Sequence, residues 1–581
     1  MTRETFEMIE IDVPMCSRTY ATAPCAAALG TTGVRKCYDL RATCQDAANY
    51  LAGTPLTLRF CKPGPIPYGT LAFPTLRKVE QTSPQMNVAG ASERSSQQGA
   101  HGTLRFVVGD LVYHERGIDP YQSGRVDGTA QTDEGGYDPA ARGTFLPKLK
   151  ARWTNYEGAT VRLKRGYLVA GVLTDVTTYT YILNELDGPS GGEMTGDCAD
   201  ILDLSNEKRA LCPKPSPGVL TLDITAVATT FNVTPAGAGA SYAASGWVCI
   251  GSEIMAFTRS TDTFTVTRGQ RGTTAATHSA ADAVQETYSP RAMRIDAVAN
   301  ELLTSFTTTP ASWWTYTDWQ VEVTRWAPSL ALTTDIVTPT PVGQLLGEFG
   351  DLGCNIVTNE RLGKIVLRMD RPVDGETVYT VTDQSAKEIR QEDRDEDRIT
   401  QVYYCHKRAD PTKQLTDEAN YLRRMLTVNP DAVALYGNSK TRRIFTRWLD
   451  QGDDVTSSVT SWRMLRRFET PPKRIWVTLD AKDKAIALLD VIDITSDDFA
   501  DVTGKAVSTR FQVVGRREPI PYHDVEVEAV IFGYAGRSGF ITPNTYPVYG
   551  SASAAEKAAG CWIADNTTLK FADGTSAYRI I

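Results

Sequence analysis

Residues 16–44 read CSRTYATAPCAAALGTTGVRKCYDLRATC. Four of the chain's eleven cysteines, Cys16, Cys25, Cys37 and Cys44, fall inside this stretch. It follows an alternating run, TFEMIEIDV (5–13), that reads as a strand, and precedes a short strand at Leu56–Phe60. Between them the sequence has neither alternation nor helical periodicity, apart from room for one helical turn near Arg41–Tyr50. An irregular segment needs something other than a ladder to hold it. Four thiolates brought together suit a tetrahedral zinc, an iron–sulfur cluster or two disulfides.

The spacing, C-x8-C-x11-C-x6-C, lacks the tight C-x2–4-C knuckle of structural zinc sites and the C-x2-C pairs of electron-transfer ferredoxins. Spread ligands on loops remain compatible with a metal, because only the final sulfur positions count. The N-terminal MTRETFEMIEIDV is acidic and alternating, unlike a secretory leader, so synthesis in a reducing cytoplasm is expected. There, clustered thiols bind metal more often than they form disulfides. Arg35, Lys36 and Arg41 flank the second pair, where they would favour thiolates and offset the charge of a ligated cluster.

The chain has 581 residues and a net charge of −8. That length predicts several domains. The acidic balance argues against a nucleic-acid-wrapping surface, which rests on Lys/Arg contacts to phosphate, but leaves room for a local basic patch. No apolar run reaches the ~20 residues of a membrane span. Abundant Thr and aromatic residues, closely spaced turn signals and few long helical patterns point to a mainly β, β-rich α+β protein of several domains.

Strands are expected at 77 onward, Thr103–Tyr113, Thr160–Leu173 and Tyr179–Leu186, with a long Gly/Asp-rich loop over 115–145 and a short helix at Ala199–Leu211. Closely spaced prolines at 212–218 mark a boundary. Residues 219–289 read as a small inserted β-domain. Helical spacing appears at Met293–Phe306, Pro341–Phe349, Thr416–Leu426 and Thr456–Phe468, and the chain returns to strands at 474–532. The expected divisions are 1–70 (first strand and cysteine segment), 71–213 (β-barrel), 214–290 (inserted β-domain), 291–470 (α+β), 471–535 (second β-barrel part) and 536–581 (C-terminal extension).

Catalytic patterns are sparse. Neither HExxH nor a P-loop is present. Ser190 in GPSGG fits GxSxG, but loop sequence follows it where a nucleophile elbow needs a helix. Cys405 and His406 are neighbours on an expected strand and so face opposite sides. Trp313, Trp314, Trp319 and Trp326 read as core or interface in preference to a sugar platform. RGQRGTT (268–274) reads as a β-turn with solvated arginines, and RQEDRDEDR (390–398) as a solvated charged face. No enzyme activity is expected; the alternative reading is a cell-envelope glycan hydrolase, for which the abundant Asp and Glu leave paired acids open, or a redox-active Fe–S enzyme.

The cysteine segment resembles that of the lambda tail tip protein L family and of siphophage and gene-transfer-agent tail hubs. In these a C-x8-C pair, a variable spacer and C-x6-C precede a Leu-Arg-Phe strand, here Leu58-Arg59-Phe60. The likeness implies a [4Fe–4S] cluster on Cys16, Cys25, Cys37 and Cys44, with zinc as the alternative metal. This chain departs in placing residues 45–57 before that strand and in carrying the motif near its N-terminus. RGTFLPKLKARWTNYEGATVRLKRGYL (142–168), GWVCIGSEIMAFTR (246–259), TVTRGQRGTTAATH (265–278) and FADGTSAYRII (571–581) are also similar to siphophage hubs. The resemblance implies a structural baseplate hub of the virion, built of β-barrel domains. Three copies would close the tail tube and meet a distal tail protein ring, a central tail fibre or spike and the tape measure protein. Membrane insertion and specific nucleic-acid binding are not implied.

Overall fold

In the computed structural model, Arg3–Val13 (β1) is an interior strand of a seven-stranded antiparallel sheet. The other strands are Leu56–Cys61 (β2), Leu76–Thr82 (β3), Thr103–Gly109 (β4), Thr160–Val169 (β5), Val172–Ser190 (β6) and Glu193–Asp200 (β7), in the order β2-β1-β5-β6-β7-β4-β3. The structure describes residues 3–28, 31–33, 37–86, 102–110, 144–206, 208–371, 373, 376–450, 454–483, 485–500 and 503–532, with 538–539, 553 and 579–580. Expectations for Arg35, Lys36, most of the 77–100 and 115–145 loops, and most of 536–581 fall outside these residues. The chain divides into two units: Met1–Pro84 with Ala100–Leu204 and Thr358–Ile365, and Gln85–Gly99 with Ser205–Val357 and Val366–Ile581.

In the first unit, alternation along β1 turns Ile9, Ile11 and Val13 onto the main core. Phe106, Val161, Leu163, Tyr181 and Leu186 meet them there, with Leu146 of helix α1 (Phe145–Arg152) and Trp153 beyond its end. At ~25 cal/mol per Å² of apolar surface, this burial is the main source of the unit's stability. The expected single strand Thr160–Leu173 is instead a hairpin. Ala170 and Gly171, both at positive φ (51° and 77°), turn β5 into β6. The expected helix over Ala199–Leu211 is overruled by the end of β7 and a short 3-10 turn, Ile201–Ser205, because Leu183↔Cys198 and Ile182↔Ala199 continue the sheet ladder.

The opposite face of β1 carries charge. Glu10 lies directly opposite Arg59 on β2 and Arg162 on β5. Its carboxylate accepts from Arg59 Nε at 3.0 Å and Arg162 Nε at 2.9 Å, and Lys164 Nζ lies 3.0 Å away. Arg162 also grips Asp12 with two bonds of 2.7 Å. Burial opposes ionisation of Glu10, but bonds from Arg162, Lys164 and Arg59 outweigh it and hold the carboxyl below its ordinary 4.5.

The second unit holds a six-stranded sheet built from 219–220, 230–234, 245–250, 253–260, 263–270 and 285–286, with its own core of Phe231, Phe257, Phe264, Val248 and Ile250. A second six-stranded sheet places 378–382, 491–495, 509–520, 524–531, 473–480 and 386–393 side by side, around Ile475, Val477, Ile492, Phe511 and Val527. Helix α2 (Ile295–Phe306) buries Ile295, Val298, Ala299 and Leu302, and helix α3 (Tyr316–Trp326) packs beside it. Three further helices follow: α4 (Val342–Gly347), α5 (Pro430–Tyr436) and α6 (Asp454–Phe468). The helix expected at Thr416–Leu426 is instead a strand, Tyr421–Val428. It pairs residue by residue with Gln401–Arg408, so Tyr421 is buried while Leu422 and Leu426 face outward. Cross-strand pairing has overridden a weak helical period. Among the described residues, no helix is long and apolar enough to cross a membrane.

Glu253 organises one corner of the first of these sheets. It is fully buried and takes Arg268 Nε at 2.8 Å, Arg268 Nη2 at 2.7 Å, the Gly269 and Ala276 amides at 2.8 and 3.0 Å, and His278 Nε2 at 2.9 Å. Burial raises its pKa, yet these donors prevail and leave the carboxyl at about 2. RGQRGTT is therefore not a solvated turn: Arg268 is buried on Glu253 and Arg271 lies 4.1 Å over the Trp247 ring.

Two stability predictions follow. Glu10→Gln should cost about 2–3 kcal/mol in urea unfolding at pH 7, because it strands partly buried cations. The folded pKa of Glu10 is depressed, so its contribution is present above the ordinary 4.5 and lost as pH falls through the folded value. The wild-type advantage over Glu10→Gln should therefore shrink on acidification below about pH 4.5. Glu253→Gln should lower stability by about 3 kcal/mol, with faster hydrogen exchange across 268–278 as its local signature.

Candidate metal centre

β1 and β2 pair directly, Val13 opposite Leu56, so residues 14–55 leave the sheet and return to the same edge. The stem continues slightly past the strands: Gly53 N–H donates to Met15 O and Ser17 N–H to Leu51 O, both at 2.8 Å. Beyond it the described residues of the segment form one short 3-10 turn, Arg41–Thr43, and otherwise loops. Side chains and main chain stitch its two halves together. Cys16 N–H donates to Asp39 O at 2.7 Å, Ala26 N–H to Asp46 Oδ2 at 2.8 Å, and Tyr20 Oη to Gln45 Oε1 at 3.1 Å.

The four cysteines lie within this stitched segment. Cys16 and Cys37 are buried, and Cys25 and Cys44 are half-buried. Cys37 forms a small apolar knot with Tyr20 and Ala27, against which Cys25 packs. Burial raises the pKa of Cys44, and the neighbouring thiols of Cys16 and Cys25 raise it further, against the Asp46 amide and Arg41. Tyr50 lies near both Cys16 and Cys44 and has its pKa raised by burial and by them. Main-chain amides reach the sulfurs: Arg18 N–H lies 3.5 Å from Cys16 Sγ, and the Asp46 amide serves Cys44. Such N–H···S bonds stabilise thiolates and tune a ligated metal. Among the described residues, the one set of three ligand atoms within 4.8 Å of one another is Glu185, Asp187 and Asp197, so no three of the cysteine sulfurs are that close together.

Cys61 stands apart. It is fully buried on β2 among Phe6, Met8, Ala72 and Leu168, and burial raises its pKa. The stitching residues Asp39, Gln45 and Asp46 are site components that the sequence reading did not pick out. The one signal for them was the Asp46–Asn49 spacing of a side-chain-capped turn.

The other candidates resolve into structure. Cys405 and His406 do point apart. Burial pushes the Cys405 thiol up to about 11, and His406 is buried against α6. There Ser457 Oγ lies 3.4 Å and Asp454 Oδ1 3.1 Å from the same atom, His406 Nε2. A catalytic triad needs serine and aspartate on different ring nitrogens, so this is a packing contact. Ser190 ends β6 at a turn into β7, with no helix after it. Trp314 and Trp319 are buried and stacked at 5.9 Å, with Trp314 Nε1 donating to Asn300 at 2.9 Å. In the 390–398 run, Arg398 departs from the expected solvated face: it is buried, held by Asp395 at 2.6 Å and by the Tyr436 ring at 4.1 Å.

Neither a protein-family model nor a curated protein matches the chain. Among solved structures, it is similar to a tail protein from Neisseria meningitidis MC58 (10% identity, 78% of this chain and 91% of that one, TM-score 0.32). It is also similar to a 43 kDa tail protein of prophage MuSo2 from Shewanella oneidensis (6% identity, 78% and 94%, TM-score 0.34). A third likeness is to prophage tail protein gp18 from Listeria monocytogenes EGD-e (11% identity, 65% and 86%, TM-score 0.30). Superpositions of this quality leave function to be argued from the site.

Proposed function

We propose that this chain is a structural hub of a phage-type tail tip, in which Cys16, Cys25, Cys37 and Cys44 hold a [4Fe–4S] cluster that shapes the 14–55 segment. The observation that carries this reading is the interior of that segment. It leaves and rejoins one sheet edge, Cys37 and Cys25 pack together inside it, and Cys44 lies near Cys16 and Cys25. Loops of this length are seldom stable without a device of their own.

Four thiols with amide donors fit the donor set of a cluster. Zinc, with bonds of about 2.3 Å, would draw its four sulfurs to about 3.8 Å from one another. A [4Fe–4S] cage would take one thiolate on each iron and hold the four sulfurs further apart. The cluster would supply local folding free energy, and no electron transfer is required of it. Arg41, close to Cys44, offsets part of the negative charge. The sequence resemblance extends the reading to three copies forming a ring that closes the tail tube, with a distal tail protein ring, a central fibre or spike and a tape measure protein as neighbours in the virion.

Anaerobically purified protein should be brown and carry iron and acid-labile sulfide at about four each per chain. Cys37→Ser and Cys44→Ser should lose the colour and open residues 14–55 to protease, while Cys61→Ser keeps both. Colourless anaerobic protein with zinc bound in place of iron would replace the cluster by the alternative metal. Colourless protein with no metal would sink the site altogether. Sedimentation at the mass of one chain, with and without the tail neighbours, would refute the ring.

A further inference from the structure

Among the described residues, a cavity of about 280 Å³ in the second unit is lined by Arg271, Arg291, Lys407, Arg408 and Arg447, with Asp335 and Asp450 as its acids. The turn that supplies Arg271 is the RGQRGTT motif. Gly272, at φ +82°, lets it sit on the 407–411 segment: a Cβ there would fall 1.9 Å from Ala409 O, so any other residue would push the turn away.

The four arginines are fixed in place. Arg271 stacks on Trp247, and its Nε lies 3.8 Å from Asp335, which also pairs with Arg291. Arg447 is held by Glu348 at 3.0 Å. Arg408 donates to the main-chain carbonyls of Pro411 and Lys413. Among the described residues, with Glu348 behind Arg447 and Asp410 beside Arg408 counted, five cations meet four carboxylates. Burial lowers the pKa of both Arg408 and Arg271, and like-charged neighbours, Arg447 and Arg291 respectively, lower them further. A preorganised site with uncompensated positive charge gains most from an anion.

We propose that this cavity binds an oxyanion of the phosphate class, free or carried as a small monoester. A tetrahedral oxyanion offers enough oxygens to accept from more than one guanidinium fork at once, whereas a carboxylate fills one. The volume leaves room for a substituent of about sugar size beside Leu422 and Pro411. The proposal goes beyond the tail-tip reading and stands independently of the cysteine site.

The test is calorimetric titration of the full chain, in a low-salt buffer free of phosphate, with inorganic phosphate and separately with glucose 6-phosphate. Binding at one site per chain is expected. It should weaken at least about tenfold in Arg271→Gln and Lys407→Gln, remain unchanged in Arg517→Gln, and fall with added chloride. Binding of inorganic phosphate alone shows that the oxyanion suffices, and binding of only the ester shows that the substituent contributes. A ligand-dependent rise in the thermal midpoint of the unmodified protein gives a reading that needs no variant. No saturable heat and no midpoint shift with either probe, or equal binding in the folded variants, overturns the proposal.

Discussion

The pairing of β1 with β2 is the constraint on which the first unit turns. Val13 opposite Leu56 and Met8 opposite Cys61 fix both ends of the 14–55 segment against one sheet edge. Closing so long a loop costs entropy, which the hydrogen bonds along and across it offset in part. Among its described residues, Tyr20, Ala27 and Cys37 form a small apolar knot against which Cys25 packs, while Met15 and Leu40 join the unit's main core. The sheet topology brings the two ends of the segment together, and the proposed cluster is a reading of what would hold the stretch between them.

Buried carboxylates do comparable work elsewhere. Glu10 binds β1 to both neighbours through Arg59 and Arg162. Glu253 ties Arg268, Gly269, Ala276 and His278 into one corner. Glu348 takes Trp448 Nε1 at 2.8 Å together with Arg447. In each case an acid within the fold collects several donors, which is what makes burial of its charge tolerable. These groups look like catalytic carboxylates in a list of residue types. At Glu10 and Glu253 the donors outweigh burial and hold the carboxyl below its ordinary pKa, whereas at Glu348 burial outweighs Arg447 and Trp448 and raises it.

Much of this was legible in the sequence where the pattern was local. Alternation in TFEMIEIDV marks β1, and the spacing of Val298, Leu302 and Phe306 marks α2. The four cysteines stand out because they cluster. What was not legible depends on partners far along the chain. The period in Tyr421, Leu422 and Met425 suggests a helix, but the ladder with Gln401–Arg408 decides for a strand. Arg268 and Arg398 read as solvated because the sequence does not show Glu253 arriving beneath one, or Tyr436 and Asn438 closing over the other. Spacing could name the candidate ligands, but not the bonds from Cys16 N–H to Asp39 O and from Ala26 N–H to the Asp46 carboxylate that cross the segment.

The charge balance illustrates the same limit. A net charge of −8 suggests a surface indifferent to anions. Yet Arg271, from one sheet's turn, and Arg408 and Arg447, from a segment more than a hundred residues later, line one cavity. Net charge describes the far field, which salt screens within about 10 Å. Binding is decided by the few charges inside that distance and by how firmly they are held. Here the holding is done by a glycine that admits a neighbouring backbone, an indole under a guanidinium and a buried glutamate behind another. A chain can therefore be acidic overall and still present a rigid cationic pocket, provided that its acids are spent inside the fold.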